Sequence, residues 1–346
     1  VQKVAAVSVA AFHLAGFREL EALFRSGVCF HLRHFGISSF KLLRLGGRKE
    51  HLHAAPFEFR LFFHHCIRQG LGEALFTLHS AGYEPTLRFT TRAGEAIELA
   101  RLSAGYDLVC CLGGDGTLSE VTSGLMSLAP EERPPIGYFP LGTANDVATT
   151  LKLPKNDPAA VARRIAEGSP LAWDVGVFGE DRYFTYVAAF GAFTDVSYET
   201  PQQSKQALGH LAYLLEGMNR LPKLPHYRTR VELDSSVVEG DYIFGGVTNS
   251  TSVAGLVKLD PDMVALDDGQ FEVALVKYPA TLADLNALVA QAASKNYNGE
   301  MMTIARASSV RFTFADPVPF TRDGEPGGVH TDVRIQNSRA AVRIIV

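Results

Sequence analysis

The chain has 346 residues, 47% of them hydrophobic and 20% charged, with a formal net charge of −4. That balance excludes a disordered or fibrous protein, and it offers no clustered basic excess for a nucleic-acid partner. No run reaches the roughly 18 uninterrupted apolar residues of a transmembrane helix; the nearest, Val4 to Phe17, is broken by Ser8 and His13 and reads as well as a strand or an ordinary helix.

The length is near the upper limit for one hydrophobic core, so two domains are expected, with the boundary near 171/172. Four cysteines, Cys29, Cys66, Cys110 and Cys111, show no CxxC spacing, and the last two are adjacent in an apolar run. This usage implies a reduced, cytoplasmic setting.

The first 70 residues differ in kind from the rest. They hold ten Lys or Arg against four Asp or Glu, seven of the eleven histidines and ten of the 22 phenylalanines, whereas the first Asp is Asp107 and the first Asn is Asn145. Three readings fit this bias: a basic, apolar face that meets anionic lipid, an ordinary domain edge, or a reading-frame disruption before about Gly70. His64 and His65 are accordingly not taken as metal ligands.

From Gly72 the pattern becomes regular. A helix over 72–82 ending at Gly82, an extended TLRFTT segment and a helix from Gly94 to Leu102 begin a βα rhythm. Tyr106 to Leu112 is an apolar strand that runs through GGDGT into the helix TLSEVTSGLMSL; IGYFP is a second strand that runs through LGTAND into another helix. Strands alternating with helices, with glycine turns after the strands, indicate a doubly wound parallel sheet with its site at the strands' C-terminal ends. After Trp173 strand-like runs dominate (VGVFG, RYFTYVAAF, YRTRVELD, YIFGGVTN, FEVALVKY, SVRFTFA, AAVRIIV), with helices near 204–219 and 280–296. The expected fold is therefore α/β, an N-terminal doubly wound nucleotide-binding domain (1–171) followed by a β-rich, β-sandwich-like domain (172–346).

Chemistry concentrates in the two glycine turns. In Gly113-Gly114-Asp115-Gly116-Thr117 the glycines let backbone N–H groups approach an anion, and the following helix points its positive end there. The plainer alternative is a strand-to-helix turn in which Thr117 and Glu120 form a capping box. Asp115 argues against it, because a carboxylate in a phosphate turn calls for a divalent cation between the two, hence Mg²⁺. Gly142-Thr143-Ala144-Asn145-Asp146 repeats the construction, with Thr143 a cap candidate and Asp146 in the first helical turn. No GxxxxGK[ST] and no protein-kinase motif set occurs.

Taken together, YDLVCCLGGDGTLSEVTSGL, PLGTANDVA, DVG at Asp174, VSYETP at 196–201, LDPDMVALDDGQFEV at 259–273 and RDGEPGG at 322–328 resemble the soluble bacterial diacylglycerol kinases over about residues 72–346. GGDGT alone also occurs in NAD and sphingosine kinases; the later segments narrow the likeness. The resemblance implies that GGDGT and the second turn cradle the phosphates of ATP, and that Asp115, Asp146 and Asp174 hold Mg²⁺. It further implies Asp323 as general base on the lipid hydroxyl, Glu325 as support for the metal or acceptor, Asp268 in a second, structural cation site, and Thr90 and Thr91 near the base or ribose.

Helix 204–219, with Leu208, Leu211, Leu215 and Met218 on one face, offers either an acyl-chain groove or core packing. In the resembling family a first strand ends in an Asn-Pro-x-Ser-Gly turn; no Asn precedes position 145 here, and the aligned place falls near Phe59 to Phe63. The implied activity is transfer of the ATP γ-phosphate to diacylglycerol by a protein peripheral to the inner membrane face, with homodimers compatible. The alternatives are another lipid acceptor, such as sphingosine or phosphatidylglycerol, and a nucleotide-binding pseudoenzyme.

Overall fold

The computed structural model describes residues 3–10, 70–143, 145–192, 225–253, 257–258, 264–294 and 297–346. In the first part, strands β1 (Lys3–Ala10), β2 (Tyr83–Thr90), β3 (Leu108–Gly113) and β4 (Ile136–Pro140) run parallel in the spatial order β4-β3-β1-β2. The helices are α1 (Leu71–Ser80), α2 (Glu95–Arg101), α3 (Asp115–Leu125), α4 (Asp146–Thr150) and α5 (Pro158–Glu167). Every residue of β3 and β4 is buried, as expected of interior strands covered on both faces.

The two faces of the parallel sheet are filled by alternate residues. Leu108, Cys110 and Leu112 of β3 pack with Ala74 and Leu78 of α1 and Val161, Ala162 and Ile165 of α5. Val109 and Cys111 face the other way, against Ala96 and Ala100 of α2 and Leu118, Val121 and Leu125 of α3. A period of two on the strands meeting apolar helix stripes on both sides is the doubly wound arrangement that the sequence rhythm anticipates. The adjacent Cys110 and Cys111 are packing residues, one in each core layer, both free and buried.

The second part is strand-rich: β5 (Pro170–Phe178), β6 (Arg182–Phe184), β7 (Val187–Gly191), β8 (Tyr227–Leu233), β9 (Ser236–Thr248), β12 (Phe271–Lys277), β13 (Met302–Ala307), β14 (Ser309–Arg322) and β15 (Glu325–Ile345), with helix α6 (Leu282–Ser294) and a small β10–β11 hairpin pair (Ser252–Val253, Val257–Lys258). Its centre is aromatic: Phe178, Phe184, Phe190, Phe271, Phe312 and Phe320 are buried together, and Phe190 meets Phe314 edge-on with ring centroids 4.9 Å apart. The end of β15 returns to the first part, pairing Ile344 with Ile136 of β4, so both parts share one 13-stranded sheet.

Several differences from the sequence reading have local causes. RYFTYVAAF is not one strand: it breaks at Thr185 and Tyr186, whose N–H groups go to the Asp323 carboxylate and not to a neighbouring strand. Val4 to Ala10 lies within a strand, β1, which pairs in parallel with β2 on one side and β3 on the other. Residues 11–69, including Phe59 to Phe63, lie outside the described residues. So do helix 204–219 with its Leu208, Leu211, Leu215 and Met218, the VSYETP segment and residues 259–263.

Candidate active site

The C-terminal ends of β2, β3 and β4 form one rim. The two glycine turns touch there: a Cβ on Gly142 would lie 2.4 Å from the Gly114 Cα, and one on Gly113 would lie 2.4 Å from the Thr117 Oγ. Glycine at these positions is what allows the two backbones to meet. Thr90 is buried at the end of β2 on the same rim, while Thr91 is committed locally, its N–H and hydroxyl donating to Glu95 at 2.5 and 3.0 Å.

Neither capping alternative is realised. Helix α3 starts at Gly114 without a side-chain cap, and Glu120 accepts instead from the N–H groups of Gly94 and Ala96, fastening the start of α2. Thr143 is exposed and caps nothing. The cap of α4 comes from the other turn: Asp115 accepts from the N–H of Asp146 at 2.9 Å and of Val147 at 3.2 Å. The first-turn N–H groups of α4 are thus spoken for, whereas those of Asp115, Gly116 and Thr117 in α3 have no acceptor among the described residues. The open anion position is the start of α3.

Asn145, left-handed at φ 52° and buried, holds its own turn: it accepts from the Gly142 N–H at 3.0 Å and donates to the Gly142 and Pro140 carbonyls. The Tyr138 hydroxyl lies 3.4 Å from both Asp115 and Asn145; burial, followed by the Asp115 charge, raises its pKa. Asp146 is likewise pushed upward by burial and then by the Asp115 carboxylate beside it.

The DGE loop joins this rim from the β-rich part. A Cβ on Gly116 would stand 3.9 Å from the Glu325 carboxylate, and the Ser119 hydroxyl bonds Asp323. Asp323 is left-handed at φ 47° and buried. Its carboxylate also accepts from the N–H groups of Thr185, Tyr186 and Val187 at 2.8, 2.8 and 3.0 Å and from the Thr185 hydroxyl at 3.1 Å. Burial raises its pKa against the pull of these donors. A carboxylate so surrounded has no lone pair turned to a substrate, which runs against the expected role of Asp323 as general base. Glu325 is exposed, and its carboxylate has no hydrogen-bond partner among the described residues. Tyr186 links the two halves, its N–H on Asp323 and its hydroxyl on Asp146. Ser119, Tyr138, Thr185 and Tyr186 were not singled out in the sequence; each lies at an uninformative spacing.

Asp115, Asp146, Asp323 and Glu325 are thus assembled, but Asp174 is not among them. It is buried, accepting from the N–H groups of Gly269 and Ala340, both at 2.6 Å, and from the Asn337 amide at 3.1 Å. Its charged neighbour is Asp268. Asp268 in turn accepts from the Gln270 N–H at 2.9 Å and pairs with Arg306, whose guanidinium also lies 3.6 Å from Glu272.

The two acidic groups answer differently to a cation. No ion pair forms to Asp115 or Asp146 among the described residues, but Asp115 already accepts from the Asp146 and Val147 N–H groups and lies against the Tyr138 hydroxyl, while the Lys155 charge acts on Asp146. The less committed oxygens beside the open phosphate position are those of Asp146, which suit Mg²⁺, an ion that keeps several waters and takes the rest of its shell from phosphate. At Asp268 a guanidinium already supplies the positive charge, and Asp174 is saturated by three donors. The structural cation expected there does not fit these residues.

Residues 65–178 match the diacylglycerol kinase catalytic domain, and residues 187–346 match the YegS C-terminal NAD kinase beta sandwich-like domain. The chain is 34% identical over 266 residues to a diacylglycerol kinase of Bacillus subtilis (strain 168), covering 76% of this chain and 86% of that one. It is 36% identical over 265 residues to a diacylglycerol kinase of Staphylococcus carnosus (strain TM300), covering 76% and 85%. A crystal structure of a diacylglycerol kinase from Bacillus anthracis str. Sterne shares the fold, with a TM-score of 0.57 at 22% identity over 80% of this chain and 92% of that one. With its glycine turns, acidic rim and β-rich second part all in the expected order, the chain belongs to the soluble diacylglycerol kinase family.

Proposed function

We propose that the chain transfers the γ-phosphate of ATP to the free hydroxyl of diacylglycerol, giving phosphatidate. The observation that carries this is the meeting of three separated segments, GGDGT, LGTAND and DGE, at the first turn of α3. The open N–H groups of Asp115, Gly116 and Thr117, with the positive end of α3 behind them, bind the phosphates. Asp115 and Asp146 would hold Mg²⁺, which when bound supplies charge neutralisation on the phosphate oxygens.

The geometry supports Glu325, in place of Asp323, as the group that accepts the acceptor hydroxyl's proton. Glu325 is exposed beside Gly116, whereas the Asp323 carboxylate is occupied by the donors of Ser119 and residues 185–187. Asp323 is then a positioning residue that pins the loop to β7, and Tyr186 fixes the distance between the loop and Asp146. Asp174 and Asp268 tie β5, the turn at Gly269 and β15 together away from the chemistry. Among the described residues no helix is long and apolar enough to cross a membrane, so the lipid is met at the membrane surface, on the cytoplasmic face in this reading.

The test is incorporation of the labelled γ-phosphate of ATP into lipid in mixed detergent micelles with Mg²⁺. Diacylglycerol should be labelled in preference to sphingosine and phosphatidylglycerol; a different acceptor ranking first would overturn the substrate, and labelling of none would overturn the kinase reading.

A further inference from the structure

Beside the DGE loop two guanidiniums lie near each other, each held by a backbone carbonyl. Arg182, exposed at the start of β6, donates from Nη1 to the Gly327 carbonyl at 3.0 Å. Arg322, half-buried and next to Asp323, donates from Nη1 to the Tyr183 carbonyl at 2.8 Å, and its Nε is buried with no acceptor among the described residues. Each is held in place by a carbonyl, and neither is in an ion pair among the described residues. The two are close enough for burial and the Arg182 charge together to lower the Arg322 pKa.

Asp181 and Asp323 are the nearby carboxylates, but Asp323 is already surrounded by donors and Asp181 lies on an exposed turn. The Gly327 carbonyl is shared with His330 Nε2, also at 3.0 Å, which fixes that nitrogen as the protonated one. At Gly328, φ 94°, the backbone approaches these groups closely: a Cβ there would lie 3.0 Å from His330 Nε2 and 3.3 Å from Arg182 Nη1.

Two like charges held together, one of them partly out of water, cost free energy unless an anion lies between or beside them. Planar guanidinium forks match phosphate oxygens in geometry as well as charge. We propose that Arg182 and Arg322 form a phosphate-ester subsite beside the DGE loop, on the side of the acceptor. Its position puts that phosphate beside the acceptor, where lipid headgroups lie, and exposed Val329 borders it. The inference rests on the reading of Glu325 and its loop as the acceptor side. Its ligand is either the headgroup of an anionic phospholipid or a soluble phosphate ester.

The experiment measures binding without ATP or turnover, so that failure of the kinase reading leaves it intact. Phosphatidylcholine vesicles with and without phosphatidate are sedimented with the wild type, Arg182→Gln and Arg182→Lys. Gln retains a donor for the Gly327 carbonyl and removes the charge. Arg182→Gln is expected to weaken binding to phosphatidate vesicles about fivefold, the effect of one basic residue near an anionic surface, to leave binding to neutral vesicles unchanged, and to be rescued by Arg182→Lys.

Glycerol 3-phosphate that releases the wild type from phosphatidate vesicles identifies a subsite open to soluble esters; retention of the protein identifies one that needs a membrane-held headgroup. Wild-type affinity for phosphatidate vesicles in both Arg182→Gln and Arg322→Gln overturns the proposal. So does a wild type that treats the two vesicle types alike and gives no heat with glycerol 3-phosphate in calorimetry.

Discussion

Asp115 with Asp146, at two helix starts, and Asp174 with Asp268, at a strand and a turn, are two acidic pairs in one fold, and their surroundings differ. The first pair is crowded, with the Asp146 pKa raised by burial and by its neighbour, and it faces the open N–H groups of α3. The second is neutralised from within the chain, by Arg306 on Asp268 and by the amide donors of Gly269, Ala340 and Asn337 on Asp174. A carboxylate whose acceptor capacity is filled by N–H groups holds a fold together, as Asp174 does and as Asp115 does in capping α4, and one left with charge and open space, as Asp146 is, suits chemistry. The DGE loop repeats the lesson two residues apart: Asp323 is filled, Glu325 is open.

The sharpest way to break that contrast is to neutralise both loop carboxylates separately. Glu325→Gln should lower kcat about 10³-fold, within the usual range for a lost general base and worth about 4 kcal/mol, with the melting temperature unchanged. Asp323→Asn should do the reverse. An amide nitrogen turned toward the N–H groups of Thr185, Tyr186 and Val187 cannot accept from them, so stability should fall by about 3 kcal/mol and activity be lost with the fold. A stable Asp323→Asn with 10³-fold lower kcat, beside a fully active Glu325→Gln, would restore Asp323 as the base.

The second group can be tested through Glu272. Its carboxylate is buried near Asp268, neither oxygen has a hydrogen-bond partner among the described residues, and burial raises its pKa from 4.5 to about 7 against the opposing charge of Arg306. The folded state therefore holds a proton that the unfolded state has released. The resulting stability is fully present below about pH 4.5 and is lost as pH rises to about 7, a swing on the order of 3 kcal/mol. Melting temperatures of Glu272→Gln minus wild type should increase from about pH 5 to about pH 8; a difference that stays flat would show that the carboxylate is ionised throughout.

Much of the nucleotide-binding half was legible in the sequence, because β3 and β4 are uninterrupted apolar runs followed by glycine turns, and parallel interior strands leave that pattern. The cap of α4 was not legible, since the residue that supplies it, Asp115, is 31 positions from the N–H it satisfies. The break between β6 and β7 was hidden for the same reason: RYFTYVAAF alternates like a strand, and only a carboxylate 138 positions away takes the Thr185 N–H out of the ladder. Local periodicity reports burial, and it is silent about which distant side chain will claim a backbone donor. Asp174 shows the converse, a residue whose motif pointed to the rim and whose backbone neighbours carried it elsewhere.

The smallest expected effect bears on the link between the rim and the loop. Tyr186 bonds Asp146 through its hydroxyl and Asp323 through its N–H, so Tyr186→Phe removes the first contact, keeps the second and leaves the ring, buried at 7% exposure, in place. A hydrogen bond to a charged group is worth about 1.5 to 3 kcal/mol when lost, but Asp146 is only partly buried and water can take the phenol's place, which puts the loss at about 1 kcal/mol. If that bond positions the loop, the loss should fall on kcat, about fivefold, with the KM for ATP unchanged, because the N–H groups of α3 proposed to bind phosphate are on the other side of the Asp115–Asp146 contact. If Tyr186 instead tunes Asp146 as a cation ligand, the Mg²⁺ concentration needed for half-maximal rate should rise and kcat at saturating Mg²⁺ should recover. A Mg²⁺ titration of Tyr186→Phe therefore decides whether the two halves of the site are joined by geometry or by charge.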